Sequence, residues 1–494
     1  MSVSSTRGAG WPSVAGRRPN IVFVMADDHA AHAIGAYGSR VNATPGIDRL
    51  AAEGMRFDAC FCTNSICSPS RATILTGTYN HVNGVTTLDT HLDGRLPTFP
   101  KMLQAAAYQT AMIGKWHLGH GGIHDPTGFD WWSVLPDQGE YRDPTFLEAD
   151  GRQIVRQGYA TDLITDLALD WIDRRDPDRP FLAMVHHKAP HRSWEPAERH
   201  ATLFTDAPIR EPMTLRDDHV GRSTAAVEAR MQLWDLTAED LKEVVPPGLS
   251  DDEELAWRYQ RYMQDYLRCV AALDENVGRL LDGLGERGIG DDTVLVYTSD
   301  QGFFLGDHGW FDKRFMYEES LRMPLIVRYP RLVEAGTSSD AIVLNLDFAQ
   351  TLLELAGVEP TAPMQGRSMV PLLRGECPQD WRTSMYYRYW MHLDGSHGVW
   401  AHRGVRTRRH KLVHYYGEGL GQPGAAAEPR PEEWELFDLE ADPFELRSLH
   451  DDPDHHAILE DLRAQLQRLC SESGDVEPDA DPRGSAAAAT KELR

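Results

Sequence analysis

The chain has 494 residues, 41% of them hydrophobic and 25% charged, the balance of a soluble globular protein with material for a large core. Its formal net charge of −25 disfavours nucleic acid and anionic membranes as partners, although local clusters of Lys, Arg and His leave room for an anionic substrate. No run of about 18 apolar residues marks a membrane span, and residues 1–18 lack the apolar stretch of a signal peptide. The six cysteines, Cys60, Cys62, Cys67, Cys269, Cys377 and Cys470, have neither disulfide-framework nor zinc spacing, so a cytoplasmic enzyme in a reducing compartment is expected.

Residues 1–18 and the Pro-, Asp- and Ala-rich residues 471–494 read as disordered termini. Between them, short apolar strands alternate with helical patterns. "NIVFVMADD" is a buried strand ending in Asp27 and Asp28. "TPGIDRLAAEG" is helical, and "YQTAMIGKWH" is a second strand. The amphipathic helix "ATDLITDLALDWIDRR" precedes a third strand, "PFLAMVHH". A long helix starts at a capping box of Ser250 and Glu253 and carries Tyr262, Tyr266, Cys269, Leu273, Val277 and Leu280 as one stripe. "DTVLVYTSDQG" and "MPLIVRYP" are the fourth and fifth strands. This alternation predicts an α/β domain over residues 19–381, a mostly parallel sheet covered by helices on both faces. Over residues 382–470 the texture changes to antiparallel strands, "MYYRYW", "GVWAHRGVRTRRHKLVHYY" and "WELFDLEADPFE", followed by a helix. A smaller C-terminal α+β subdomain is expected there. The irregular insertion 203–250 fits neither pattern and reads as a wall of the substrate pocket.

In open α/β sheets, ligands bind beyond the carboxyl ends of the strands. Those ends carry Asp27 and Asp28, Lys115 and His117, the segment His186 to His191, and Asp300 and Gln301. Asp27, Asp28 and Asp300, with the Gln301 amide oxygen, are hard oxygen donors suited to Ca²⁺ or Mg²⁺. A single Asp pair after a strand also caps turns, but two acidic strand ends on one rim favour a metal. Lys115 and His117, two apart on extended chain, share a face and suit a tetrahedral oxyanion, against the plainer reading of an exposed strand end. His191 follows a proline in a loop.

"CSPSRATILTG", residues 67–77, reads as a short helix with Ser68 as N-cap, Pro69 at the first helical position and Gly77 as the stop. Cys67 then lies at the positive end of a helix, where anions bind. It is either a small buried hydrophobe, as Cys60 and Cys62 are taken to be, or a thiolate nucleophile. Only three residues separate Cys67 from Arg71, whereas cysteine phosphatases place five there. A thiolate is also a poor match for a hard cation.

The same segment resembles the C-x-P-S-R-x-x-x-L-T-G signature of type I sulfatases, and "GKWHLG" at 114–119 resembles their second signature. The resemblance extends to "APH" at 189–191, "SDQG" at 299–302, "KRFMYEES" at 313–320 and "ELFDLEADPFE", spanning about residues 19–450. It implies an alkaline phosphatase-like fold and a sulfuric ester hydrolase whose Cys67 is oxidised to formylglycine by a formylglycine-generating enzyme. It further implies metal ligation, with calcium favoured, by Asp27, Asp28, Asp300, Gln301 and the modified Cys67. Arg71 would hold the hydrated aldehyde, Lys115 and Lys313 the sulfate, His117 would release sulfate, and His191 would protonate the leaving alcohol. The substrate implied is a small sulfated saccharide or sulfate ester, nearest to those of bacterial carbohydrate sulfatases of the N-acetylglucosamine-6-sulfatase type. Trp194, Asp307 and His308 are then expected near a sugar pocket. Rivals are a phosphonate monoester or phosphodiester hydrolase of the same superfamily and an inactive binder of anionic glycans. Against the second, every matched catalytic position is filled.

Overall fold

The computed structural model describes residues 18–475; the expected disorder at 1–17 and 476–494 lies outside them. Five parallel strands make the centre of a ten-stranded sheet: β1 (Asn20–Ala26), β2 (Gln109–Lys115), β3 (Trp131–Leu135), β4 (Phe181–His186) and β5 (Thr293–Ser299), in the spatial order β5-β1-β4-β2-β3. β6 (Leu325–Arg328) pairs antiparallel with β5, and short strands extend both edges. β3, which the sequence pattern did not reveal, pairs parallel with β2.

The strands are buried on both faces because their residues alternate between two cores. Ile21, Phe23 and Met25 of β1 pack on the side of α5 (Asp347–Ala356), with Phe348 and Leu352. Val22, Val24 and Ala26 pack on the side of α3 (Ala160–Arg174) and α4 (Asp251–Glu286). The predicted α4 stripe is entirely buried, and the Ser250–Glu253 capping box is present. Two further helices lie one on each face, α1 (Pro45–Ala52) on the α3–α4 side and α2 (Cys67–Thr76) on the α5 side.

The C-terminal strands β7 (Ser384–Tyr389), β8 (His402–Thr407), β9 (His410–Tyr415) and β10 (Glu433–Asp438) form an antiparallel meander. Helix α6 (His456–Ser473) covers it with Leu459, Leu462 and Leu466. The tail expected to be disordered from Ser471 is ordered to Asp475, because α6 runs on to Ser473 and the Asp475 carboxylate binds Arg388 Nη1 at 2.6 Å.

Residues 203–250 brace their neighbours, and the segment 210–214 also lines a cavity. Phe311 N donates to Met231 O at 2.8 Å and Arg230 N to His397 O at 2.7 Å. Asp217 accepts from His308 Nδ1 at 2.9 Å and also binds Arg222. Burial alone would lower the His308 pKa, but Asp217, with Glu319 3.8 Å away, raises it to about 9 against the opposing charge of Arg222. A raised folded-state pKa means stability that is full below the unfolded value of about 6.5 and lost as pH rises through about 9. Thermal melts should show the midpoint falling by roughly 2–4 °C more across that window in the parent protein than in His308→Gln. Parallel pH profiles for the two proteins would show that His308 is not held as an imidazolium.

Candidate active site

The strand register sets the site. β1 and β5 pair up to Ala26 and Ser299, so Asp27 and Asp28 emerge beside Asp300 and Gln301. Ligand oxygens of Asp27, Asp28 and Asp300 lie within 4.8 Å of one another, and all three residues are buried. Asp28 N donates to Asp300 Oδ1 at 3.2 Å.

Three cations face these carboxylates. Arg71, one turn into α2, donates through Nε and Nη2 to Asp300 Oδ2 at 3.1 and 2.9 Å and through Nη1 to Lys115 O at 2.9 Å. Lys115, at the end of β2, binds Asp27. Lys313 binds the Asp28 carboxylate at 2.7 Å. Burial pushes every carboxyl upward. In Asp27 the attraction of Lys115, then of Arg71 and Lys313, outweighs burial and holds the group well below the usual carboxylate range. Burial prevails in Asp28, at about 7, and in Asp300, at about 6, where the charge of Asp27 adds to it. The protein's own cations therefore do not satisfy the cluster.

Gln301 Nε2 donates to Asp28 Oδ1 at 2.5 Å, while its buried Oε1 has no hydrogen-bond partner among the described residues. An orphaned amide oxygen beside three carboxylates is an all-oxygen donor set that fits a hard divalent cation.

α2 begins at Cys67 itself. Ile66 is extended, with φ −156° and ψ 145°, and no side chain caps the helix. The expected N-cap at Ser68 is thus corrected: Ser68 lies inside the first turn and its Oγ donates to His117 O at 2.7 Å. Pro69 is the third helical residue, tolerated because first-turn N–H groups lack intrahelical acceptors. Gly77 ends the helix in the left-handed region as expected, at φ +64°. Cys67 Sγ lies 3.5 Å from Asp27 Oδ1. Burial first, and then the charge of Asp27, push its thiol far above the usual range. Both effects disfavour the thiolate reading of Cys67.

Lys115 and His117 do not share the face of a strand, because β2 stops at Lys115 and His117 takes φ +53°. They meet through Gln138, a residue just past β3 that the sequence reading missed. His191 Nδ1 lies 2.7 Å from the carbonyl oxygen of Arg192, which it meets as a donor. That leaves Nε2 facing Asp28 Oδ2 at 3.7 Å. Burial and then Lys115 hold both imidazoles far below their ordinary pKa, hence neutral.

Lys313 follows the short hairpin of Phe304–Leu305 and Phe311–Asp312. Its neighbours Asp312 and Arg314 were also missed. Arg314 Nε donates to Asp312 Oδ1 at 3.2 Å, and His397 of the C-terminal subdomain lies 3.4 Å from Asp312 Oδ2. Two expected sugar contacts are corrected: Trp194 is sealed against Tyr262, ring centroids 4.8 Å apart, and His308 is buried in its pair with Asp217. Asp307 binds His32 at 3.1 Å and lines a separate cavity of about 570 Å³. None of the predicted catalytic or metal residues lines that cavity.

A family model described as Sulfatase matches residues 19–358. The chain belongs to the sulfatase family. It is accordingly a sulfuric ester hydrolase of the alkaline phosphatase-like superfamily, and a second model, N-sulphoglucosamine sulphohydrolase, C-terminal, matches residues 306–472. The chain is 44% identical over 509 residues to the N-acetylglucosamine-6-O-sulfatase of Bacteroides thetaiotaomicron, covering 94% of this sulfatase and 88% of that one. A solved structure of a protein in complex with its substrate D-glucosamine-2-N,6-O-disulfate superposes with a TM-score of 0.88 at 43% identity, covering 94% of this chain and all of that one. The phosphonate monoester hydrolase of Agrobacterium radiobacter, at a TM-score of 0.71 and 21% identity over 92% of this chain and 96% of its own, shares the fold.

Because only the folded chain assembles the carboxylate cluster, Ca²⁺ or Mg²⁺ should raise the thermal midpoint of the protein. Asp300→Asn should diminish that shift. A midpoint indifferent to millimolar concentrations of both ions would contradict the ligand assignment.

Proposed function

We propose that this sulfatase removes the 6-O-sulfate of N-acetylglucosamine or a related glucosamine, with Cys67 converted to formylglycine by a formylglycine-generating enzyme. The substrate reading is supported by the name of the 44%-identical relative and by the disulfated glucosamine bound in the similar structure. The observation that carries the mechanism is Cys67 at the start of α2, 3.5 Å from Asp27 and ringed by Arg71, Lys115 and Lys313.

Hydration of the aldehyde gives a geminal diol. Asp27, Asp28, Asp300, Gln301 and the modified Cys67 would hold a divalent cation, with calcium favoured, which would supply positive charge that lowers the proton affinity of that diol. Arg71 holds the diol, and Lys115 and Lys313 bind the sulfate oxygens. One diol oxygen attacks sulfur, and the sugar oxygen departs with a proton from His191. The remaining hydroxyl gives its proton to His117 as the aldehyde re-forms and sulfate leaves. His191 is neutral in the ligand-free chain. An anionic sulfate entering beside Lys115 and Lys313 offsets the repulsion that contributes to this and lets the ring take up its proton.

Active protein should lack the Cys67 thiol by peptide mass, and Cys67→Ala should abolish turnover. His191→Ala should slow sugar-sulfate hydrolysis by about 10²–10⁴-fold and nitrophenyl-sulfate hydrolysis far less, since a phenolate leaves without help. Full activity from protein carrying an intact thiol, or equal losses on both substrates, would overturn the respective assignments.

A further inference from the structure

The loop that follows β4 carries His191, and its backbone is held from three sides. Tyr141 Oη donates to His191 O at 2.7 Å. Arg192 Nε donates to Asp240 Oδ1 at 2.6 Å, and its Nη2 binds the other carboxylate oxygen. Lys242 Nζ donates to Ser193 O at 2.8 Å and to Asp265 Oδ2 of α4 at 3.0 Å. Asp240 and Lys242 both belong to the insertion, at the end of the single helical turn Ala238–Leu241. Asp240 is buried, and Thr237 fixes it by donating to Oδ2 from both N and Oγ1, each at 2.8 Å. One short segment of the insertion thus grips the residues on either side of the Arg192–Ser193 peptide bond.

That peptide supplies the acceptor for His191. Arg192 O accepts from His191 Nδ1 at 2.7 Å and from Lys188 Nζ at 3.3 Å. A carbonyl offers only lone pairs, so Nδ1 keeps its hydrogen in both charge states of the ring. Nε2 is left as the atom at which the ring gains or gives up a proton, and the bond to Arg192 O sets the direction in which it points. A carbonyl acceptor on Nδ1 also favours the imidazolium, the form an acid must reach before it can give a proton.

We propose that Asp240, with Lys242, is a positioning residue for the leaving-group acid: it fixes the Arg192 carbonyl and thereby holds His191 Nε2 in line with the ester oxygen. The proposal rests on the role given to His191 above. In the step it serves, the ionised diol oxygen bonds to sulfur, and the bond from sulfur to the sugar oxygen breaks with its electron pair left on that oxygen. The proton of His191 Nε2 passes to the same oxygen. Nδ1 keeps its hydrogen and its bond to Arg192 O throughout. Asp240 touches no reacting atom and acts only through the loop it grips.

The test measures kcat/KM on N-acetylglucosamine 6-sulfate and on a nitrophenyl sulfate for the parent enzyme, Asp240→Ala, Asp240→Asn, Lys242→Met, His191→Ala and the double variant His191→Ala/Asp240→Ala. Asp240→Ala should lower the sugar-sulfate value by about 10–100-fold, while the nitrophenyl value stays near that of the parent. Asp240→Asn, which keeps one acceptor oxygen for Arg192, should fall between the two. Lys242→Met, which frees Ser193 O, should show the same selective loss. In the double variant Asp240→Ala should cost nothing beyond His191→Ala, because the group it positions is gone. Melting midpoints identify the folded variants, and if Asp240→Ala does not fold, Asp240→Asn and Lys242→Met make the same comparison. Equal losses on both substrates, additive losses in the double variant, or unimpaired sugar-sulfate hydrolysis by the folded variants would overturn the proposal while leaving His191 as the acid. If His191→Ala itself loses both activities equally, the role of His191 fails and the proposal falls with it.

Discussion

Three carboxylates buried within 4.8 Å of one another cannot all be ionised without counter-charge, and the arrangement of the site follows from that constraint. The chain brings three cations to them from three separate elements: Arg71 from α2, Lys115 from β2 and Lys313 from the segment after the Phe304–Asp312 hairpin. The balance is incomplete, since Asp28 and Asp300 still stand at about 7 and 6. A divalent ion on the oxygen side would meet the demand of the carboxylates, leaving lysines and guanidinium available to an anionic ester. Holding carboxylates and cations together at high charge density is what lets one small volume suit both a hard cation and a sulfate.

Much of the remaining structure fixes the element that carries Lys313. The hairpin before it is clamped by Met231 from the insertion, the insertion is tied by Asp217 to His308, and its Arg230 reaches His397 of the C-terminal subdomain. His397 in turn lies against Asp312, the neighbour of Lys313. The insertion and the antiparallel subdomain thus act on the site from behind, through backbone hydrogen bonds and buried ion pairs.

The parallel α/β core and the antiparallel C-terminal layer were legible because their periodicities are strong. The acidic strand ends were legible because strand ends in such sheets share a rim. Three features were not. Ser68 looks like an N-cap by residue type, but α2 starts two residues earlier than that cap implies, because the extended Ile66 brings Cys67 into the helix directly. The apparent alternation of Lys115 and His117 fails because the backbone leaves β2 through a left-handed residue at 117, which no pattern of polarity encodes. Gln138 and His397 have no local signature, and each becomes a neighbour of the catalytic groups only through strand order or subdomain docking. Trp194 and His308 illustrate the converse: residue types suited to sugar binding are spent on packing and on an internal ion pair.

The most direct measurement is inorganic sulfate or phosphonate-derived alcohol released by formylglycine-bearing protein from parallel solutions of N-acetylglucosamine 6-sulfate, galactose 6-sulfate and a phenyl phosphonate monoester. The proposed reading as a glucosamine 6-sulfatase predicts the highest kcat/KM on the glucosamine sulfate, with galactose 6-sulfate and the phosphonate behind it. Phosphonate hydrolysis outpacing both sugar sulfates, or no release of sulfate from any sugar by fully modified, cation-loaded protein, would contradict the account.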